Sequence, residues 1–92
     1  MRKVTEQIAN AFYSGQSKTV GNTHTDGNNV YLHGNKIVER REDGVYASLS
    51  GWPTPTTRER VNGITGAGFH QVNHETLLND EPCDSDAWYR IQ

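Results

Sequence analysis

The chain has 92 residues, 33% hydrophobic and 22% charged, and its nine basic and eleven acidic side chains leave a formal net charge of -2. That length suits one small domain over residues 1–92 and excludes two cores, while the near-neutral charge excludes the strong basic field behind non-specific nucleic-acid binding. Leu, Ile, Val and Phe make up just under a fifth of the residues, so the expected core is thin, and the single cysteine, Cys83, excludes an internal disulfide that would reinforce it.

No apolar run approaches the ~20 residues that span a bilayer, and Met1 to Tyr13 has no secretory apolar block, so an intracellular protein without membrane contact is expected. Val4, Ile8, Ala11 and Phe12 recur at helical spacing, and Gly15 follows as a stop. From Lys18 the pattern changes to short β-type stretches divided by the turn dipeptides Asp26-Gly27, Gly34-Asn35 and Asp43-Gly44. The strands expected are Lys18–Thr25, Asn29–His33, Lys36–Arg41 and Val45–Ser50, in an antiparallel meander. Alternation turns Val30, Leu32, Val45, Ala47 and Leu49 to one face and Tyr31, His33, Tyr46 and Ser48 to the other. The first helix then packs on the apolar face.

Gly51-Trp52-Pro53-Thr54-Pro55 ends the meander, because two prolines withdraw ladder donors. Thr56 and Glu59 have capping-box spacing and open a short second helix through Val61 and Ile64, which Gly63 to Gly68 close. Phe69–Asn73 and Glu75–Leu78 suit a last hairpin, residues 79–86 an acidic loop, and Ala87–Ile91 a final strand. The fold class expected is α+β: an N-terminal helix on a four-stranded antiparallel meander, a short second helix and a C-terminal β-hairpin.

The string Tyr31-Leu32-His33-Gly34-Asn35-Lys36-Ile37, followed by Gly51-Trp52-Pro53-Thr54-Pro55-Thr56-Thr57-Arg58-Glu59-Arg60-Val61-Asn62, resembles small uncharacterised proteins of tailed bacteriophages. The likeness covers roughly residues 17–64 and is looser beyond Gly68. It implies no activity. It implies a phage product working in the host bacterial cytoplasm, of the size of accessory proteins that inhibit or redirect host machinery, with anti-CRISPR proteins and host-takeover inhibitors as the subtypes.

The residues point to binding rather than catalysis. Nucleophilic chemistry needs a nucleophile, a base and an orienting group together, and Cys83, flanked by Asp84, is a poor thiolate. There is no GxSxG, HExxH or phosphate-cradling glycine loop. His70, His74 and Cys83 with Asp84 lack the paired spacing of a structural zinc site, so neither metal nor cofactor is expected, and His24 and His33 are expected to meet only as decoration across a hairpin. Trp52 is assigned to the core, closing the open end of the sheet. Tyr31, Tyr46, Trp88 and Tyr89 are the interface residues, and Glu75, Asp80, Glu81, Asp84 and Asp86, opposed only by Arg90 over residues 75–92, suit a positively charged partner. The expected function is occlusion of a host protein or ribonucleoprotein complex. Two alternatives stand beside it: a nucleic-acid-binding module using Arg40, Arg41, Arg58 and Arg60, and a structural phage subunit that self-assembles.

Overall fold

A computed structural model describes residues 2–92. In chain order it comprises α1 (Lys3–Tyr13), β1 (Lys18–Val20), β2 (Thr23–Thr25), β3 (Asn29–Leu32), β4 (Asn35–Arg41), β5 (Gly44–Ala47), α2 (Pro55–Thr65), β6 (Phe69–Val72), β7 (Glu75–Leu78), β8 (Glu81–Pro82) and β9 (Tyr89–Arg90). One sheet runs β1-β2-β3-β4-β5-β9 and a smaller one β6-β7-β8, with every pairing antiparallel. The protein is thus α+β with an N-terminal helix and C-terminal strands, but the meander has five consecutive strands, extended by β9.

Helix α1 buries Ile8, Ala11 and Phe12 as its spacing predicts, whereas Val4 is only half-buried and Thr5 beside it is buried. It ends where Gly15, at φ 70°, lets its own N–H reach Phe12 O at 3.2 Å and that of Gln16 reach Ala11 O at 2.8 Å. This pair of bonds is a Schellman cap. The expected strand Lys18–Thr25 is two strands, because Gly21-Asn22 is itself a two-residue turn sequence and Gly21 adopts φ 58°.

Strand β4 carries a bulge that simple alternation does not foresee. Val30 faces Val38 while Tyr31 faces Lys36, so Ile37 is the unpaired extra residue. Ile37 and Val38 are consequently both buried, and beyond them Glu39 and Arg41 turn outward while Arg40 turns in. Ser48, expected on the wet face, is buried: β5 has ended at Ala47, and Ser48 donates its N–H to Ile37 O and accepts at Oγ from Ser50 N, both at 3.0 Å.

Helix α2 equals α1 in length at 11 residues, against an expectation of a brief helix. It is capped by Thr54, whose Oγ1 accepts from Thr57 N at 3.2 Å, with Pro55 in the first turn. The expected Thr56–Glu59 box does not form, because Glu59 is drawn away to Thr5 and Arg60. Gly63 lies within the helix, which stops at Gly66 with φ 78°. Both helices cover one face of the large sheet, and Ile8, Phe12, Val30, Ile37, Val38, Leu49, Val61 and Phe69 form the centre of the core. Burial of each large apolar side chain contributes roughly 1.5–3 kcal/mol.

The final hairpin forms as β6 and β7 around Asn73-His74. The acidic loop of residues 79–86 contains a further short strand, β8, after a second reversal at Asn79-Asp80, where both residues have positive φ. Only Tyr89–Arg90 of the expected last strand pairs, against β5.

Candidate functional site

The outer face of the large sheet holds Tyr31 and Tyr46, as alternation placed them, but not Ser48, which is buried, nor His33: β3 ends at Leu32, and His33, at φ 52°, lies in the turn to β4. Thr19, His24, Tyr31 and Lys36 lie opposite one another across β1 to β4, and Glu39, Tyr46 and Arg90 across β4, β5 and β9. His24 meets Tyr31, not His33, with the rings stacked at 6.1 Å. The bulge in β4 brings three charges into line. Glu39 accepts from Lys36 Nζ at 3.1 Å and from Arg41 Nε at 2.7 Å, and these bonds, Arg41's first, hold its carboxyl below the ordinary range. Asp43, which accepts from the Tyr46 hydroxyl at 2.7 Å, is lowered by that bond, and the Tyr46 phenol is raised by it.

Arg41 is the centre of this face. Its guanidinium lies 4.0 Å from the Tyr46 ring centroid and 5.9 Å from that of Trp88. A shallow depression of about 510 Å³ opens beside it, edged by Lys36, Glu39, Ser50 and Trp88. Depressed carboxyls stabilise the fold above their unfolded pKa and lose that contribution as pH falls through the folded one. The thermal midpoint of the protein should therefore fall on acidification below about pH 4, and less steeply in Glu39→Gln; equal slopes for the two proteins would count against the Glu39 network.

All five C-terminal carboxylates, Glu75, Asp80, Glu81, Asp84 and Asp86, are exposed. Among the described residues, only Asp80 has an ion-pair neighbour, His70 Nε2 at 3.1 Å. The segment is tied down by its backbone: Gly51 N donates to Ser85 O at 2.9 Å and Cys83 N to Thr76 O at 3.2 Å. Tyr89, expected at an interface, instead packs edge-on to Phe69 at 6.4 Å and accepts from Asp84 N at 2.8 Å, so it supports the loop from beneath. Burial foremost, and then the Asp84 charge, push the Cys83 thiol up. Cys83 should accordingly react with a maleimide more slowly than a free thiol at neutral pH; reaction at the free-thiol rate would contradict that environment.

The four arginines of the nucleic-acid alternative do not share a surface. Arg60 is buried, donating to Thr23 Oγ1 at 3.0 Å and Thr5 Oγ1 at 3.2 Å as well as to Glu59. Arg40 sits 4.2 Å over the Phe12 ring and donates to Phe12 O at 2.9 Å and Gly27 O at 2.5 Å, closing the C-terminal end of α1. Arg58 donates to Pro53 O at 2.8 Å, and Arg41 is held by Glu39. Three of the four are thus bonded to the protein's own backbone or interior. His74 lies in the β6–β7 turn, off the strand that carries His70, and among the described residues no three His, Cys, Asp or Glu side chains gather as a metal would require.

Sequence reasoning missed a second concavity. Trp52, assigned to the core, is 59% exposed and forms the lip of a cleft of about 450 Å³ between the start of α2 and the β3–β4 hairpin. The chain reverses at Ser50-Gly51, both at positive φ, where Trp52 N donates to Leu49 O at 2.9 Å, so that Leu49 is buried and the indole stays outside. Leu32, Ile37 and Leu49 form the floor, and Asn22, His33, Asn35 and Thr56 the rim. The two motif strings around His33 and Trp52 thus converge on one cleft, which their separation in the sequence conceals. Since Trp52 is exposed, Trp52→Ala should leave unfolding free energy within about 0.5 kcal/mol of the parent; a larger loss in urea titration would return the indole to the core.

A family model described as the Kyanoviridae Gp96 protein matches residues 1–90, so the match takes in α1 and the C-terminal strands as well as residues 17–64. No curated protein and no solved structure matches the chain.

Proposed function

The chain belongs to the Kyanoviridae Gp96 family of phage proteins, and we propose that it acts by binding, without catalysis, occluding a protein or ribonucleoprotein complex in the cytoplasm of the bacterial host. The observation that carries this reading is the Arg41, Tyr46 and Trp88 cluster on the outer sheet face. Tyr, Trp and Arg are the residue types that dominate binding hot spots. Stacking and the Glu39 bond already order the Arg41 side chain, so less conformational freedom remains to be lost on association.

The chemistry of the partner follows from the neighbouring charge. Asp84 and Asp86 lie four and two residues before Trp88, and with Glu75, Asp80 and Glu81, which are exposed like them, they suit a basic patch on the target. Of the four arginines that a phosphate-gripping surface would use, Arg40 and Arg60 are committed internally. An inhibitor of the anti-CRISPR type that covered a host nucleic-acid-binding surface would need this sign of charge.

The test is affinity capture from host lysate with the parent and with Trp88→Ala, with and without nuclease and at two salt concentrations. The reading expects a stoichiometric protein that survives nuclease, associates more slowly at high salt, and binds Trp88→Ala at least about tenfold more weakly. Recovery of nucleic acid alone, or capture indifferent to both Trp88 and salt, would defeat it.

A further inference from the structure

We propose that the cleft beneath Trp52 is a binding site for an uncharged nucleobase, adjoining the docking depression at Asn35 and lined otherwise by different residues. Three properties of the cleft select that class. None of the side chains lining it carries a formal charge when His33 is neutral, so nothing there recognises a phosphate or a carboxylate. The Trp52 indole stands exposed at the lip and offers apolar surface to one face of a flat ring, while Leu32, Ile37 and Leu49 behind it are aliphatic and almost wholly buried. The rim supplies hydrogen-bonding groups for the edge of that ring. The Asn35 amide and the Thr56 hydroxyl have no side-chain hydrogen bond among the described residues and remain available. Apolar faces with a polar edge are how proteins hold a splayed-out base. The volume of about 450 Å³ lies within the range of small-molecule sites.

The rim is also fixed from behind. Arg60 Nε donates to Thr23 Oγ1 at 3.0 Å, and the Thr23 hydroxyl donates to Asn22 Oδ1 at 2.9 Å. That leaves Asn22 Nδ2 facing His33 Nε2 at 3.3 Å. An amide nitrogen can only donate, so His33 accepts at Nε2 and bears its proton at Nδ1 in this arrangement. With Asn22 and His33 tied to each other, the Asn35 amide and the Thr56 hydroxyl are the rim groups left for ring nitrogens and exocyclic oxygens.

A base reaches such a cleft either in a free nucleoside or from a single strand, and one experiment covers both. The ¹⁵N-labelled protein is titrated with the four ribonucleosides, with short single-stranded oligonucleotides and with methyl glycosides, following the Trp52 indole N–H and the Asn22 and Asn35 side-chain amides. The proposal expects saturable shifts at these three signals with at least one nucleoside, insensitive to salt, and weakened about tenfold or more by Trp52→Ala. Shifts at the same signals with oligonucleotides alone would also support it and would assign the base to a strand. It is overturned if no nucleoside or oligonucleotide shifts them, if glycosides saturate them in place of nucleosides, or if Trp52→Ala binds as the parent does. Because Trp88 and the acidic segment are untouched by Trp52→Ala, host-protein capture by that variant separates failure of this site from failure of the docking face.

Discussion

Arg60→Met should lower the unfolding free energy by about 3 kcal/mol, near the lower end of the range for a buried charge that has lost its partner. The guanidinium joins three elements: Thr5 of α1, Glu59 of α2 and Thr23 of β2. Thr5 accepts from Arg60 and donates to Glu59 at 2.7 and 2.8 Å, while Thr23 accepts from Arg60 and donates to Asn22, so each hydroxyl uses both of its capacities. Methionine fills much of the volume but leaves the two hydroxyls without their donor and the carboxylate without its guanidinium, and buried polar groups without partners are costly. Two features keep the loss moderate. Glu59 retains 24% of its side-chain exposure, so water takes part of the released charge, and Arg2 Nε stands 3.9 Å from it. Replacing Thr5, Thr23, Glu59 and Arg60 together by apolar residues of matching size should recover most of the stability, since such replacements of buried ion pairs are often neutral. Urea titration measures both proteins; a loss under about 1 kcal/mol for Arg60→Met would mean that the pair behaves as a surface bridge.

That network marks the limit of what could be read from residue order. Periodicity found α1, its Gly15 stop and the inward set Val30, Leu32, Val45 and Ala47, because a repeat of 3.6 or 2 is a local property. It also placed Tyr31 and Tyr46 on the outer face. The bulge at Ile37 escaped it, since nothing local distinguishes two consecutive apolar residues that share a face from two that alternate, and the outward alignment of Lys36, Glu39 and Arg41 depends on that bulge. Arg40 and Arg60 look like any surface arginines in the sequence. What commits them to the interior is the Phe12 carbonyl in one case and Thr5 and Thr23 in the other, partners 28 to 55 residues away. Trp52 misleads for the opposite reason: a large apolar side chain suggests burial, although the turn at Ser50-Gly51 reverses the chain just before it. The cleft and the Arg41 cluster are therefore products of tertiary arrangement, while the acidic character of the C-terminal segment was plain from composition.

The second large effect should come from Gly44→Ala, because at this position backbone conformation and space both exclude a side chain. Gly44 has φ 148°, and a Cβ built there would lie 1.9 Å from the Gln92 carbonyl oxygen and 3.0 Å from Arg90 Nε. The same oxygen accepts from Val45 N at 3.0 Å, and Ile91 N donates to Val45 O at 2.8 Å, so the methyl group would have to displace the bonds that dock the C-terminal segment on β5. A cost of about 2–4 kcal/mol follows from the strained backbone and the lost edge pairing together. Gly34→Ala is the matching control: φ is 81° there, but nothing lies within 4 Å of the added carbon, so only the conformational penalty of about 1 kcal/mol applies. Hydrogen exchange separates the two mechanisms, since Gly44→Ala should release the Ile91 amide selectively while Gly34→Ala leaves it protected. The consequence reaches the docking face, because Arg90 lies opposite Tyr46 on the strand that undocks and Trp88 immediately precedes β9. Gly44→Ala should then weaken capture of the host partner as Trp88→Ala does, even though it removes no atom from the surface. If capture stayed at parental strength while the Ile91 amide exchanged freely, the Arg41, Tyr46 and Trp88 arrangement would not be what the partner reads.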